Sequence, residues 1–269
     1  NHAHDSICGC SLDEVHRDMQ YRFRQANLIA DEVTREVIRF DLETHASAAP
    51  ADARLLTVYN PLPYPRIETI TAEVAFDRGY PSQFTEPNGN QMRNSFLLKD
   101  AQGTVIPYNL VSIKRDTFVD QPGHLSRQPA DTHTITFTAQ LPAAGKAEFL
   151  LIPSEKPVRY LQQLTTSPRS CENNYIRLQI NDNGTLDILD KITGKQYTQL
   201  LSYLDDGEIG DGWAHNNPID DQCLTSQGFA SSIALIDDGP AACCFRVTTY
   251  MQVPESMNFH RHGVCRSDK

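Results

Sequence analysis

The sequence predicts a mostly β protein led by one long α-helix. Three observations predict it. Apolar residues recur every three or four positions from Ser11 to about His45. The period then changes to two beyond a small-residue, proline-containing linker at Ala46–Asp52. From there on, turn signals interrupt the alternation roughly every 8–12 residues, the spacing of an antiparallel sandwich.

The helix begins at a capping box, Ser11-Leu12-Asp13-Glu14, in which the Ser hydroxyl accepts a backbone N–H and Glu14 reaches back to the cap. Val15, Met19, Phe23, Ala26, Ile29, Val33, Val37 and Phe40 form a single stripe, and charges fill many of the other positions. A one-stripe helix of this length is not stable alone. It needs partner helices that the rest of the chain does not offer, which leads us to expect a piece of a longer protein with the partners upstream.

Six strands are expected next: residues 55–60, 67–76, 96–98, 105–113, 132–139 and 147–152. The first stops at Pro61-Leu62-Pro63-Tyr64-Pro65, where the prolines remove backbone donors. Together these strands predict a small β-sandwich. After a connector at Pro157–Pro168 comes a meander of 175–180, 185–189 and 196–201. Its turns, Asn181–Gly184 and Asp190–Gly194, end in the glycines that tight hairpins need. Strands at 233–236 and 243–253 continue the sheet, and no closing element follows.

Composition narrows the function. The 269 residues hold 24 Lys and Arg against 34 Asp and Glu, a net charge of −10, so no cation excess exists to neutralise phosphates. Neither a nucleic acid nor a membrane is expected as a partner. No apolar run is long enough to span a bilayer. Seven cysteines at irregular spacings, with no C-x2-C pair, suit buried free thiols in a reducing, cytoplasmic compartment.

Two segments could carry chemistry. His4-Asp5 lies in a loop just before the helix N-terminus, where free N–H groups favour anions. A neutral imidazole is a good zinc ligand, and a carboxylate beside it can accept hydrogen bonds from a sugar. By spacing alone such a pair is more often a surface or capping feature, and the role of His2 stays open. The second segment, Asp205 to His215, packs four acids, three glycines and the sole tryptophan, Trp213, into eleven residues. It lacks the ligand order of an EF-hand. It is either a solvated loop or a place where glycines bring backbone close to a ligand while Trp213 stacks on a sugar face. Asn183-Gly184-Thr185 fits a glycosylation sequon, but a hairpin turn explains it.

These segments resemble family 38 glycoside hydrolases, the retaining zinc-dependent α-mannosidases, and the bacterial branch in particular. The residues that carry the resemblance are Asn1 to Ser11 with Asp13 to Met19, then Val58 to Arg66 (Val-Tyr-Asn-Pro-Leu-Pro-Tyr-Pro-Arg). Asn183-Gly184-Thr185-Leu186, Leu189-Asp190-Lys191, Gly210-Asp211-Gly212-Trp213 and Asn217-Pro218 complete the set. The resemblance implies a helical-bundle segment at 1–48 carrying a zinc-ligand loop. It implies a small β-sandwich at 52–155 and the truncated start of a large β-supersandwich at 168–269.

The resemblance further implies one Zn²⁺ per active site, with His4 as a ligand and the other ligands in an upstream catalytic domain of the same chain. Asp5 is similar to the family residue that hydrogen-bonds mannose hydroxyls. Asp211 matches a common family Asp. Trp213 stands where relatives usually carry Tyr, so it can stack on a sugar but cannot donate a phenolic hydrogen bond.

The implied reaction is hydrolysis of terminal α-mannosides, of glycan or mannosylglycerate type, by double displacement through a glycosyl-enzyme. Its nucleophile and acid are not in this chain, so no catalytic residue is expected here and the chain alone should be inactive. The competing expectations are a stand-alone β-sandwich carbohydrate-binding module with Trp213 as its platform, and a scaffold that serves as a homo-oligomer interface.

Overall fold

A computed structural model describes residues 11–45, 49–50, 52–78, 94–120, 127–210, 214–219, 221–260 and 263–266. The architecture is one long N-terminal helix followed by antiparallel sheets. The described residues fall into two compact units, one drawn from 1–48, 204–225 and 252–269, the other from 49–203 and 226–251.

In the first unit, α1 runs over Asp13–His45. The Leu12 carbonyl accepts from the N–H groups of Val15 (3.0 Å) and His16 (3.2 Å), which puts the cap one residue beyond Ser11. Asp13 and Glu14 occupy the first turn, where the helix dipole favours negative charge. Arg35 pairs with Glu32 and Arg39 with Glu36 along the exposed surface. Met19 is buried, but Ile29, Val33, Val37 and Phe40 on the same stripe are each more than half exposed. The predicted stripe thus forms on one helix face and stays largely exposed among the described residues.

The second unit holds the sandwich. Its strands are β1 (Arg54–Asn60), β2 (Arg66–Asp77), β3 (Asn94–Asp100), β4 (Tyr108–Asp120), β5 (Arg127–Leu141) and β6 (Gly145–Val158). They form two three-stranded sheets ordered β1-β6-β3 and β2-β5-β4, with antiparallel pairing throughout. One core fills the space between them: Val74, Phe76, Phe96, Leu98, Tyr108, Ile135, Phe137, Leu141, Phe149 and Leu151 are all buried. Period-two alternation puts Ile135, Phe137, Ala139 and Leu141 of β5 on this one face.

The strand expected at 105–113 starts instead at Tyr108. Before it, Asp100 forms a turn by accepting the N–H groups of Gln102 (3.0 Å) and Thr104 (2.8 Å), and Val105 contributes only an isolated bridge to Lys99. The proline-rich stop after β1 is closed by the buried Asn60. Its amide donates to the carbonyls of Tyr64 (2.9 Å) and Pro142 (2.7 Å), while its oxygen accepts the Leu62 N–H (3.2 Å). Prolines leave carbonyls without ladder partners, and Asn60 supplies the missing donors.

A five-stranded meander follows, with β7 (Thr165–Ser167), β8 (Ser170–Glu172), β9 (Ile176–Ile180), β10 (Leu186–Asp190) and β11 (Gln196–Leu200) as neighbours in that order. Both predicted hairpin turns form. Gly184 (φ +82°) and Gly194 (φ +70°) occupy the left-handed positions. The Asp190 carboxylate caps its turn by accepting from Ile192 N (2.8 Å), Thr193 N (3.1 Å) and Thr193 Oγ1 (2.7 Å), which holds its pKa below the usual range.

The short strands β12 (Leu204–Asp205) and β13 (Leu224–Thr225) pair in the first unit. In the second unit, β14 (Ser231–Asp238) and β15 (Cys243–Thr249) form a hairpin. Asn109 of β4 holds that hairpin: its amide donates to Asp237 Oδ2 (2.8 Å) and the Ala242 carbonyl (2.9 Å), and its oxygen accepts the Ala241 N–H (3.1 Å). Finally, β16 (Met257–His260) pairs with β17 (Gly263–Arg266) in the first unit. Of the expected buried thiols, Cys171 and Cys243 are half-buried, whereas Cys223 and Cys244 are exposed.

Candidate functional site

The acidic glycine-rich loop emerges from β12 and returns into β13, so a two-residue ladder pins its ends together. Two carboxylates organise what lies between. Asp221 accepts the N–H of Gly207 (2.9 Å) and the side-chain amide of Asn217 (3.2 Å). Glu208 accepts the N–H groups of Gly210 and Asn216 (3.0 Å to the latter), and the Ile209 N–H reaches the Asn216 carbonyl (2.9 Å).

His215 sits between two acids, with Nδ1 against Glu208 and Nε2 3.5 Å from Asp206. The two backbone N–H groups, with His215 adding to them, hold the Glu208 carboxyl below its ordinary pKa. Among the described residues, Glu208 and Asp221 are therefore engaged by the loop's own backbone, as hydrogen-bond acceptors for its N–H groups, and Asp206 faces His215.

The glycines have a steric purpose here. A Cβ at Gly207 would lie 2.6 Å from the Pro218 ring, and one at Gly210 would collide with the Ala214 carbonyl. The arrangement fixes the two ends of the segment that carries Asp211 and Trp213. Those two residues lie outside the described residues, as do His4 and Asp5. Sequence reasoning missed Glu208, Asn216 and Asp221 as the residues that close the loop. The available signal was the alternation of acids with glycines, since a carboxylate two residues before a glycine is a ready acceptor for its N–H.

No three His, Cys, Asp or Glu side chains gather into a metal-binding group among the described residues. The described side chains do not fit a zinc site by themselves. A zinc centre would need His4 together with ligands beyond the described set.

In the second unit, the turn between β9 and β10 borders an open cleft of about 640 Å³ lined by polar side chains, among them Asn181, Asp182, Asn183, Asp187 and Gln199. Asn183 is engaged in its own turn. Its side-chain oxygen accepts Thr185 N (3.2 Å) and Thr185 Oγ1 (2.8 Å), and its amide donates to the Gln227 carbonyl (3.3 Å), which supports the turn reading over the sequon. No described helix is long and apolar enough to cross a membrane.

No family model matches the chain. Among curated proteins it is 26% identical, over 94% of its length, to the "Putative mannosylglycerate hydrolase" of Halalkalibacterium halodurans. Among solved structures it is similar to an α-mannosidase from Enterococcus faecalis V583, with a TM-score of 0.75 and 26% identity over 96% of the chain. It is also similar to a glycosyl hydrolase family 38 protein from Enterococcus faecalis, with a TM-score of 0.71 and 26% identity. The chain spans 30% of the curated relative and 30% and 32% of the two solved chains. The likeness to family 38 α-mannosidases read from the sequence is thus met both by a relative and by solved folds.

Proposed function

We propose that the chain is part of a retaining, zinc-dependent family 38 α-mannosidase that hydrolyses terminal α-mannosides. The observation that supports this best is a likeness covering 96% of the chain to a solved α-mannosidase. In this reading His4 is a zinc ligand, Asp5 accepts hydrogen bonds from mannose hydroxyls, and Trp213 with Asp211 contacts sugar. An upstream domain supplies the nucleophile, the acid and the remaining ligands. His4 would be one of the residues holding zinc, which when bound would supply Lewis-acid chemistry to the sugar.

The chain's own part is to present the His4–Asp5 loop ahead of α1 and the closed Asp205–Gln222 loop. The fragment alone is inactive, and the parent works in the cytoplasm, in keeping with the free thiols. The glycan and mannosylglycerate types of substrate both remain within this reading.

The test is His4→Ala in the full-length protein. Zinc content measured by plasma emission and hydrolysis of a chromogenic α-mannoside should both collapse, because losing one of about four ligands greatly weakens binding. Unchanged zinc and turnover would remove His4 from the site. Sugar binding by this chain alone, abolished by Trp213→Ala and indifferent to zinc, would favour a carbohydrate-binding module instead.

A further inference from the structure

Two thiols are brought together by the joint between the meander and the β14–β15 hairpin. Thr165 of β7 faces Cys171 of β8 in the ladder, and Asp238 of β14 faces Cys243 of β15. The same Thr165 and Asp238 are bonded to each other. Asp238 Oδ1 accepts the N–H groups of Leu164 (3.0 Å) and Thr165 (3.3 Å), and the Thr165 hydroxyl donates to Asp238 Oδ2. Two ladder pairs and one side-chain clamp therefore close a ring of four residues, with Cys171 and Cys243 on adjoining corners.

We infer that Cys171 and Cys243 are a redox pair that closes to a disulfide under a hydroperoxide and ties β8 to β15.

Both sulfurs are free and half-buried, and the Cys171 thiol lies near enough to act on that of Cys243. Burial first, then Cys171 and the nearby Asp238 and Cys244, push the Cys243 thiol up to about 12. Each sulfur attacks as its thiolate, Cys171 on the peroxide and Cys243 on the oxidised Cys171. In the first step the Cys171 sulfur takes one oxygen from hydrogen peroxide, the O–O bond breaks, and water leaves with a sulfenic acid formed. In the second, the Cys243 sulfur displaces that hydroxyl as a second water, and the S–S bond forms. Two thiol hydrogens and two electrons have gone to the peroxide.

Cys244 is a poor rival. Neighbouring strand residues point to opposite faces, so it projects away from Cys243, and it is exposed.

The test treats the purified full-length protein with hydrogen peroxide, blocks remaining thiols and maps peptides without reductant. We expect one cross-linked peptide pair containing Cys171 and Cys243, lighter by two hydrogens and released by dithiothreitol. It should survive in Cys244→Ser and vanish in Cys171→Ser. The oxidised protein should also melt several degrees higher, because the cross-link restricts the unfolded chain. The inference is overturned if Cys171 and Cys243 remain alkylatable when the exposed Cys223 is already oxidised. It is equally overturned if the bridge joins other cysteines, or if the sulfurs pass to sulfinic acid without a bridge. None of these outcomes bears on the mannosidase reading, which rests on other residues.

Discussion

Asn109 and Gly239 are expected to behave as one unit. The buried Asn109 amide makes three hydrogen bonds to the β14–β15 hairpin, one of them to the Asp237 carboxylate. Neutral bonds contribute about 1 kcal/mol each and a charged one about 1.5–3, before discounting the half-exposed Asp237. Asn109→Ala should therefore cost about 2–4 kcal/mol.

Gly239 lies directly over that amide: a Cβ there would sit 2.6 Å from Asn109 Cγ, Nδ2 and Oδ1 alike. The Asn109 side chain cannot swing aside without breaking its bonds, so Gly239→Ala should cost about 1–3 kcal/mol through overpacking. In the double variant the obstacle is gone. Asn109→Ala/Gly239→Ala should then be about as stable as Asn109→Ala alone, a coupling of about 1–3 kcal/mol. Urea unfolding at matched m-values measures all four corners of the cycle, and hydrogen exchange of residues 231–249 reports the hairpin directly. Costs that add to within about 0.5 kcal/mol would refute the proposed contact.

Three more outcomes are expected. Phe137 is fully buried and packs edge-on against Phe149 at 5.0 Å, so Phe137→Ala should lose about 3–5 kcal/mol in chemical denaturation, and a loss near zero would contradict the core assigned here. His133 is buried between Phe76 and Phe96, and desolvation lowers its pKa from 6.5. The unfolded chain then binds the proton more readily, so stability is full above about pH 6.5, declines as pH falls below it, and levels off beneath the folded pKa. His133→Phe should flatten that slope in melts run from pH 7 to 5. Glu208 has its folded pKa depressed below 4.5, so its hold on the loop is present above that value and is lost as pH falls through the folded pKa. A carboxyl NMR titration should find a midpoint below the ordinary one in wild type, and Asn216→Pro, which removes the first of the donating N–H groups, should move it back up.

Much of the local structure was legible before any coordinates. The helical stripe from Val15 to Phe40, the alternation in β5 and the two glycine turns at Gly184 and Gly194 depend on residues within a few positions of each other. The ends of elements were less legible. β4 starts only at Tyr108, because Pro107 just before it has no N–H to give the ladder. For the candidate site, the sequence pointed to His4, Asp5, Asp211 and Trp213 through family resemblance. It did not show that Glu208 and Asp221 accept N–H groups from Gly207, Gly210 and Asn216, since a run of acids looks alike whether solvated or bonded.

By itself, then, the amino-acid order determined a long one-sided helix, a change to period two after the linker, and where the chain turns. Only tertiary structure decided that β6 lies between β1 and β3, that Asn109 meets Asp237 across 128 positions of chain, and that Cys171 comes to lie beside Cys243. The physical reason is the range of the interactions. Periodicity and turn chemistry act between near neighbours, whereas pairing order and side-chain clamps are selected by which distant surfaces bury and satisfy one another best.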